Sequence, residues 1–305
     1  MSAPTASIAS VAELHHPSIG PNRRLLAAAF AQTEFKIGLV LLTLLIGTAF
    51  IYPNLTTVSA TKISVMERFL PPFFMHGGNL KHLLGTDQLG RDLFVRTLIG
   101  LQNALLISLC SVVLMFVIGA TIGMTAGYYG GWIDTVLMRL TDAQLAIPLI
   151  VLAITFLTVH RPTPQAIVLV LSLAGWPAYA RVTRSVMLSE RRREYVRGAK
   201  ILGASDLRTI LQMIAPNILP PVMFVAVLDI ARMMIFEAIL GFIGIGIQPP
   251  TPTFGTIIAD GRNYLINGWW IPTMPGLFLF ATLLGINLIG ACVERARNML
   301  LRGAI

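Results

Sequence analysis

RRREYVRGAKILGASDLRTILQMIAP, residues Arg191 to Pro216, is a charged, glycine-punctuated stretch between two long apolar runs. Loops between membrane helices are usually short, and a longer one that keeps a helical period normally carries a function. Apolar residues fall at Tyr195, Val196, Ala199, Ile201 and Leu202, then at Leu207, Ile210, Leu211, Met213 and Ile214, near helical spacing in each set. Gly203 stands between the sets. It enters left-handed backbone without a steric penalty, so it can end one helix, and Ser205 or Asp206 can cap the next. Pro216, lacking an N–H, is expected to close the second helix. The stretch therefore reads as a helix, a turn and a helix whose apolar faces suit docking. A basic loop lying on the lipid surface is the other reading.

The flanking runs decide the class. Hydrophobic residues make up 55% of the 305 and charged ones 12%, with a mean hydropathy of +0.75, outside the range of soluble globular chains. The expectation is an all-α polytopic membrane protein. Six spans are read at 37–51, 103–125, 135–159, 166–187, 218–243 and 271–293, each near the ~20 residues that cross a bilayer. Pro148 interrupts the third and Pro177 the fourth, which neighbouring helices can accommodate.

Charge sets the orientation. With the N-terminus inside, the inner segments carry Arg23, Arg24, Lys36, Arg139, Arg181, Arg184, Arg191, Arg192, Arg193, Arg197, Lys200, Arg208, Arg295, Arg297 and Arg302, fifteen of the 23 basic residues. Most of the remainder fall in the long outer segment after the first span, where the positive-inside rule is weak. Both termini and the Arg191 to Pro216 loop are thus expected in the cytoplasm. The net charge of +9 follows from this topology and implies no nucleic-acid partner.

Little chemistry is encoded. None of the four lysines follows a glycine, so there is no phosphate-binding loop of the GxxxxGK type; the chain is not expected to be an enzyme. No GxSxG nucleophile turn occurs. His15 and His16 lie in a Ser/Ala/Thr-rich N-terminal stretch that reads as unordered, and His76 and His82 lack metal-ligand spacing. Cys110 and Cys292 fall in apolar spans and read as packed thiols, implying neither metal nor disulfide.

Charges inside the fifth span are more informative. Asp229, Arg232 and Glu237 sit where an isolated ion is expensive and faces a cavity or a partner. Asp229 and Arg232, three apart, share a helix face. Two arrangements remain open: a polar stripe along a solute path, or an ion pair that orients the span. Farther on, Gly241, Gly244 and Gly246 can form a close helix-packing surface, after which Pro249, Pro250 and Pro252 start a rigid outer loop.

The spacing Arg197-Gly198-Ala199, Gly203, Pro216 resembles the EAA loop of membrane subunits of ABC importers. It departs from that pattern at Arg197, in place of an acidic residue, at Gly198, in place of alanine, and at Ala215, in place of leucine. His82-Leu-Leu-Gly-Thr-Asp-Gln-Leu-Gly-Arg-Asp92, Ala126-Gly-Tyr-Tyr-Gly-Gly-Trp132, Leu137-Met-Arg-Leu-Thr-Asp142, Gln248-Pro-Pro-Thr-Pro-Thr-Phe-Gly255 and Ala259-Asp-Gly-Arg262 resemble the second permease of dipeptide, oligopeptide and nickel importers, over about residues 34–288.

The resemblance implies a type I ABC importer fold in a bacterial inner membrane. Its expected parts are a tail at 1–33, a first span with a periplasmic segment at 34–96, a permease domain at 97–293 and a C-terminal tail at 294–305. It implies a homologous permease as heterodimer partner, two ABC ATPase subunits holding ATP and magnesium, and a periplasmic or lipid-anchored solute-binding protein. This chain itself would bind no cofactor and would contact lipid. Glu194, Arg197, Gly198, Ala199, Gly203, Ala204, Asp206 and Pro216 are the expected ATPase-coupling residues, and Asp260 and Arg262 the expected binding-protein contacts. Glu237 matches the family pattern, whereas Asp229 and Arg232 are particular to this chain. Alternating access driven by ATPase closure is the implied mechanism, with di- or oligopeptides as solute and nickel chelates, opines or oligosaccharides as alternatives. A secondary transporter or channel, or a membrane scaffold, would instead leave the loop without a docking partner.

Overall fold

The computed structural model describes residues 21–302; the N-terminal stretch read as unordered, with His15 and His16, lies outside them. The chain is built of helices: α1 (Pro21–Phe30), α2 (Thr33–Leu55), α3 (Leu93–Tyr129), α4 (Gly131–Leu145), α5 (Leu149–Val159), α6 (Pro164–Glu190), α7 (Glu194–Ile201), α8 (Asp206–Arg208), α9 (Ala215–Ile243), α10 (Phe254–Gly261) and α11 (Trp270–Arg302). A π-helical turn, Thr209–Ile214, joins α8 to α9. Among the described residues the only bridge of β type is an isolated one between Thr86 and Asp92.

α2, α3, α6 and α11 are long and apolar enough to cross a membrane. The expected third span is not one straight helix: α4 and α5 meet at 82°. Pro148 lacks an N–H and forces Ile147 away from helical backbone, so the chain turns there. α9, expected as the fifth span, has 29 residues and is as apolar on average as α2 and α3, but it carries Asp229, Arg232 and Glu237 from its middle onward. Two segments expected in tails are helical. α1 packs Ala29 against Cys292 and Ala296 of α11, and α11 continues past residue 293 to Arg302.

α3 and α6 form the centre. Gly119, Gly123 and Gly127 recur every fourth residue on α3 and put its backbone directly on α6, where a side chain on any of the three would collide with Tyr179, Ala180, Thr183 or Met187. Lipid tails are as apolar as leucine, so burial alone does not drive two spans together; close van der Waals contact between small residues does. Asp92 caps α3 by accepting from the Val95 N–H at 2.7 Å, and Thr163, followed by Pro164, caps α6.

Residues 56–92 fold into a polar knot rather than an open loop. His82, Thr86, Asp87, Arg91 and Asp92, all from one of the family-like motifs, are buried. Arg91 Nε donates to Asp87 at 2.7 Å and its Nη2 to Asp260 of α10 at 3.3 Å; Arg96 of α3 approaches the same two carboxylates. Trp270 Nε1 donates to the Thr86 carbonyl. Burial pushes the Asp92 carboxyl above its ordinary range, against the Val95 N–H and His82, which favour the carboxylate.

Candidate functional site

The 191–216 loop folds against the C-terminal end of α3 and follows directly on the C-terminal end of α6. α7 ends in a Schellman motif: the Ala204 N–H reaches the Ala199 carbonyl and the Gly203 N–H the Lys200 carbonyl, each at 3.0 Å, with Gly203 at φ 82°. That left-handed position is what glycine supplies. Ser205 occupies the N-cap position of α8 without a side-chain capping bond. Asp206 instead accepts from the Tyr128 hydroxyl at 2.7 Å. The second helix does not end at Pro216, contrary to expectation. The Ala215 N–H reaches back five residues to Ile210, and this wide turn absorbs the bond Pro216 cannot make, so Pro216 lies in the first turn of α9.

The loop's apolar residues divide into two sets. Val196, Ala199, Ile210 and Ile214 are buried on the bundle, each larger one contributing about 2 kcal/mol if withdrawn from water. Ile201, Leu202, Leu207 and Leu211 stay outside, 85, 88, 68 and 54% exposed. Glu194, Arg197, Gly203, Asp206 and Pro216 are exposed, and Gly198 and Ala204 half-buried. The loop is also pinned by polar contacts. Arg191 Nη1 donates to the Gly127 and Tyr128 carbonyls at 2.9 Å, neutralising the C-terminal end of α3. Tyr195 donates to Glu190 at 2.7 Å and accepts from Asn217; burial and the Glu190 bond hold its hydroxyl above the ordinary tyrosine range.

In α9, Asp229 is buried and receives Arg232 Nη2 at 2.9 Å, while the Arg232 side chain is half exposed. The Tyr179 hydroxyl lies beside Asp229 without closing a hydrogen bond. Glu237 is fully buried, and neither of its oxygens has a partner among the described residues. It is not joined to the Asp229–Arg232 pair. On the opposite side, Asp260 is occupied by Arg91 and Arg96, and the exposed Arg262 guanidinium lies 5.8 Å from the Phe242 ring centroid.

Residues 119–302, more than half of the chain, match the family model described as binding-protein-dependent transport system inner membrane component. The chain belongs to this family. The permease is 39% identical over 285 residues to a putative peptide transport system permease protein of Brucella suis, covering 93% of this chain and 94% of the relative. It is 34% identical to the dipeptide transport system permease protein DppC of Haemophilus influenzae, covering 83 and 86%. It is 37% identical to the di/tripeptide transport system permease protein DppC of Pseudomonas aeruginosa, covering 77% of each. Among solved structures, a chain of the inward-facing MetNI methionine ABC transporter superposes with a TM-score of 0.54 at 19% identity, covering 67% of the permease and 96% of that chain. At that identity the likeness establishes the fold, that of a type I ABC importer permease.

Two parts of the site were not singled out by residue type. Tyr128 and Arg191 tie the loop to α3, and only the Ala126 to Trp132 motif pointed to this place. The Gly119, Gly123, Gly127 row was readable as a GxxxGxxxG repeat. Arg184 of α6 also pairs with Asp134 of α4 through Nε and Nη2, a contact between distant segments that no local spacing encodes.

Proposed function

We propose that this chain is one of two homologous permeases in an ATP-driven, binding-protein-dependent importer of di- or oligopeptides in a bacterial inner membrane. It crosses the membrane six times, counting α4–α5 as one broken span and α9 as another, with both termini in the cytoplasm. The exposed edge Ile201, Leu202, Leu207 and Leu211 carries this reading: four large apolar side chains are held out into water on a two-helix element fastened to the bundle. Such an edge suits a groove on an ATPase subunit, and packed interfaces pass on rigid displacement. Glu194, Arg197, Gly198, Ala199, Gly203, Ala204, Asp206 and Pro216 shape that element. ATP and magnesium belong to the ATPase partners, and this chain hydrolyses nothing.

Arg232 supports a second permease. A guanidinium half exposed in the middle of a span is expensive against lipid, so its face belongs against the partner permease or a water-filled path. Asp229, Arg232 and Glu237 thus lie toward the translocation path. The binding protein docks at the α10 end, near Asp260 and Arg262. The peptide assignment rests on the relatives' names, and selectivity in this scheme resides largely in the binding protein.

The test is to pull down the complex through this chain, place it in lipid nanodiscs and measure ATPase activity with and without peptide-loaded binding protein. Stimulation by the loaded protein is expected. A pull-down without ATPase subunits would overturn the reading in favour of a secondary transporter.

A further inference from the structure

Tyr128, Arg191, Arg192, Val196, Arg197 and Lys200 line an open pocket of about 260 Å³ in the angle between the end of α3 and α7. Four of these residues are cations, and no carboxylate lines the pocket. Arg191 is committed to the α3 carbonyls. Lys200 Nζ lies 5.0 Å from the centroid of the Tyr128 ring. Among the described residues, Arg192, Arg197 and Lys200 have no ion-pair partner; the neighbouring Glu190 is taken by Arg193. Cations gathered on one wall repel each other, and a bound anion relieves that repulsion. The packing of the loop does not need them, since Val196, Ala199 and Ile210 make its apolar contact and Arg191 its tie to α3.

Two neighbours fix the depth of this pocket relative to the bilayer. Tyr129, directly after Tyr128, and Trp132, in the first turn of α4, are 51 and 75% exposed. Exposed tyrosine and tryptophan at the end of a span mark the headgroup level, where phosphodiesters are the most abundant anions. A zwitterionic headgroup brings a cation of its own, and this pocket already gathers four and offers no carboxylate to pair with a fifth.

We propose that this pocket binds the headgroup of an acidic glycerophospholipid, with Arg192, Arg197 and Lys200 around the phosphate and the Tyr128 ring as its apolar wall. Each cation near a membrane surface contributes about fivefold to the affinity for such a lipid. The proposal does not depend on which side of the membrane the loop occupies or on what covers Ile201, Leu202, Leu207 and Leu211.

Native mass spectrometry of the full chain, titrated with phosphatidylglycerol or with phosphatidylcholine of the same acyl chains, tests it. Phosphatidylglycerol is expected to be retained preferentially. R192Q/K200Q should weaken retention about 25-fold, whereas R192K/K200R, which keeps both charges, and Arg161→Gln, at the other end of the bundle, should leave it unchanged. Equal retention of the two lipids overturns the proposal, as does indifference to R192Q/K200Q. Full displacement by inorganic phosphate would assign the pocket to a free anion instead. The measurement needs no ATPase subunit, so its failure and a failure of the importer reading are separately visible.

Discussion

The Tyr128 hydroxyl donates to Asp206 across 2.7 Å and joins the end of α3 to the second helix of the loop. Tyr128→Phe keeps the ring and removes the bond, at a cost of about 1 kcal/mol. Hydrogen exchange at 206–209 should quicken. In the reconstituted transporter, uptake should fall more than ATP hydrolysis; equal loss of both would argue against a coupling role for this bond.

Gly203, at φ 82° with no neighbouring atom that a Cβ would meet, is required by its backbone and not by space. Gly203→Ala should therefore cost about 1 kcal/mol and Gly203→Asn less, because asparagine tolerates left-handed backbone. Gly203→Pro should uncouple hydrolysis from uptake while leaving membrane insertion intact. The ratio of peptide taken up to ATP hydrolysed reads this order directly, and equal behaviour of the alanine and asparagine variants would contradict it.

Gly123 sits under the Ala180 backbone and the Thr183 side chain. Gly123→Leu forces α3 and α6 apart, which overpacking places at about 3 kcal/mol or more. The expected outcome is loss of the monodisperse peak in fluorescence-detected gel filtration. Gly131→Leu, at a position with nothing near a Cβ, should retain the peak despite its positive φ.

Lys81 Nζ, 2.6 Å from Glu67, is the main reason the Glu67 carboxyl lies below its ordinary range. A lowered folded-state pKa stabilises the protein above the unfolded glutamate pKa of about 4.3, and that contribution is lost as pH falls through the folded value. Acidification from pH 6 to 3 should loosen residues 65–92 by a fraction of a kcal/mol, as expected for an exposed pair. Rate-corrected hydrogen exchange should show this loosening reduced in Glu67→Gln.

Much of this architecture was legible in the sequence because apolar runs and glycine positions are local signals. The runs located α2, α3, α6, α9 and α11, although every end except that of α9 at Ile243 lies farther out than the apolar run itself. Gly203 gave the loop's turn. Pro148 marked the break in the third span but not its 82° bend, which depends on packing around it. Pro216 misled because a missing N–H ends an α-helix only if the turn before it keeps α geometry, and a π turn does not. Asp260 looked free for a partner in the sequence, yet buried Arg91 and Arg96, well over a hundred residues away, claim its carboxylate. Contacts of that separation leave no periodic trace.

The π turn at Thr209–Ile214 sets a direction. One surplus residue in a helix rotates everything before it by about 100°, so the azimuth of Leu207 relative to α9 is fixed by that single insertion. Deleting one residue there would leave every side chain of the exposed edge Ile201, Leu202, Leu207 and Leu211 present and swing it round toward a different neighbour. The extra residue works as the phase of a cam, and in the proposed complex the fit between this subunit and an ATPase depends on that phase as much as on the residues that touch.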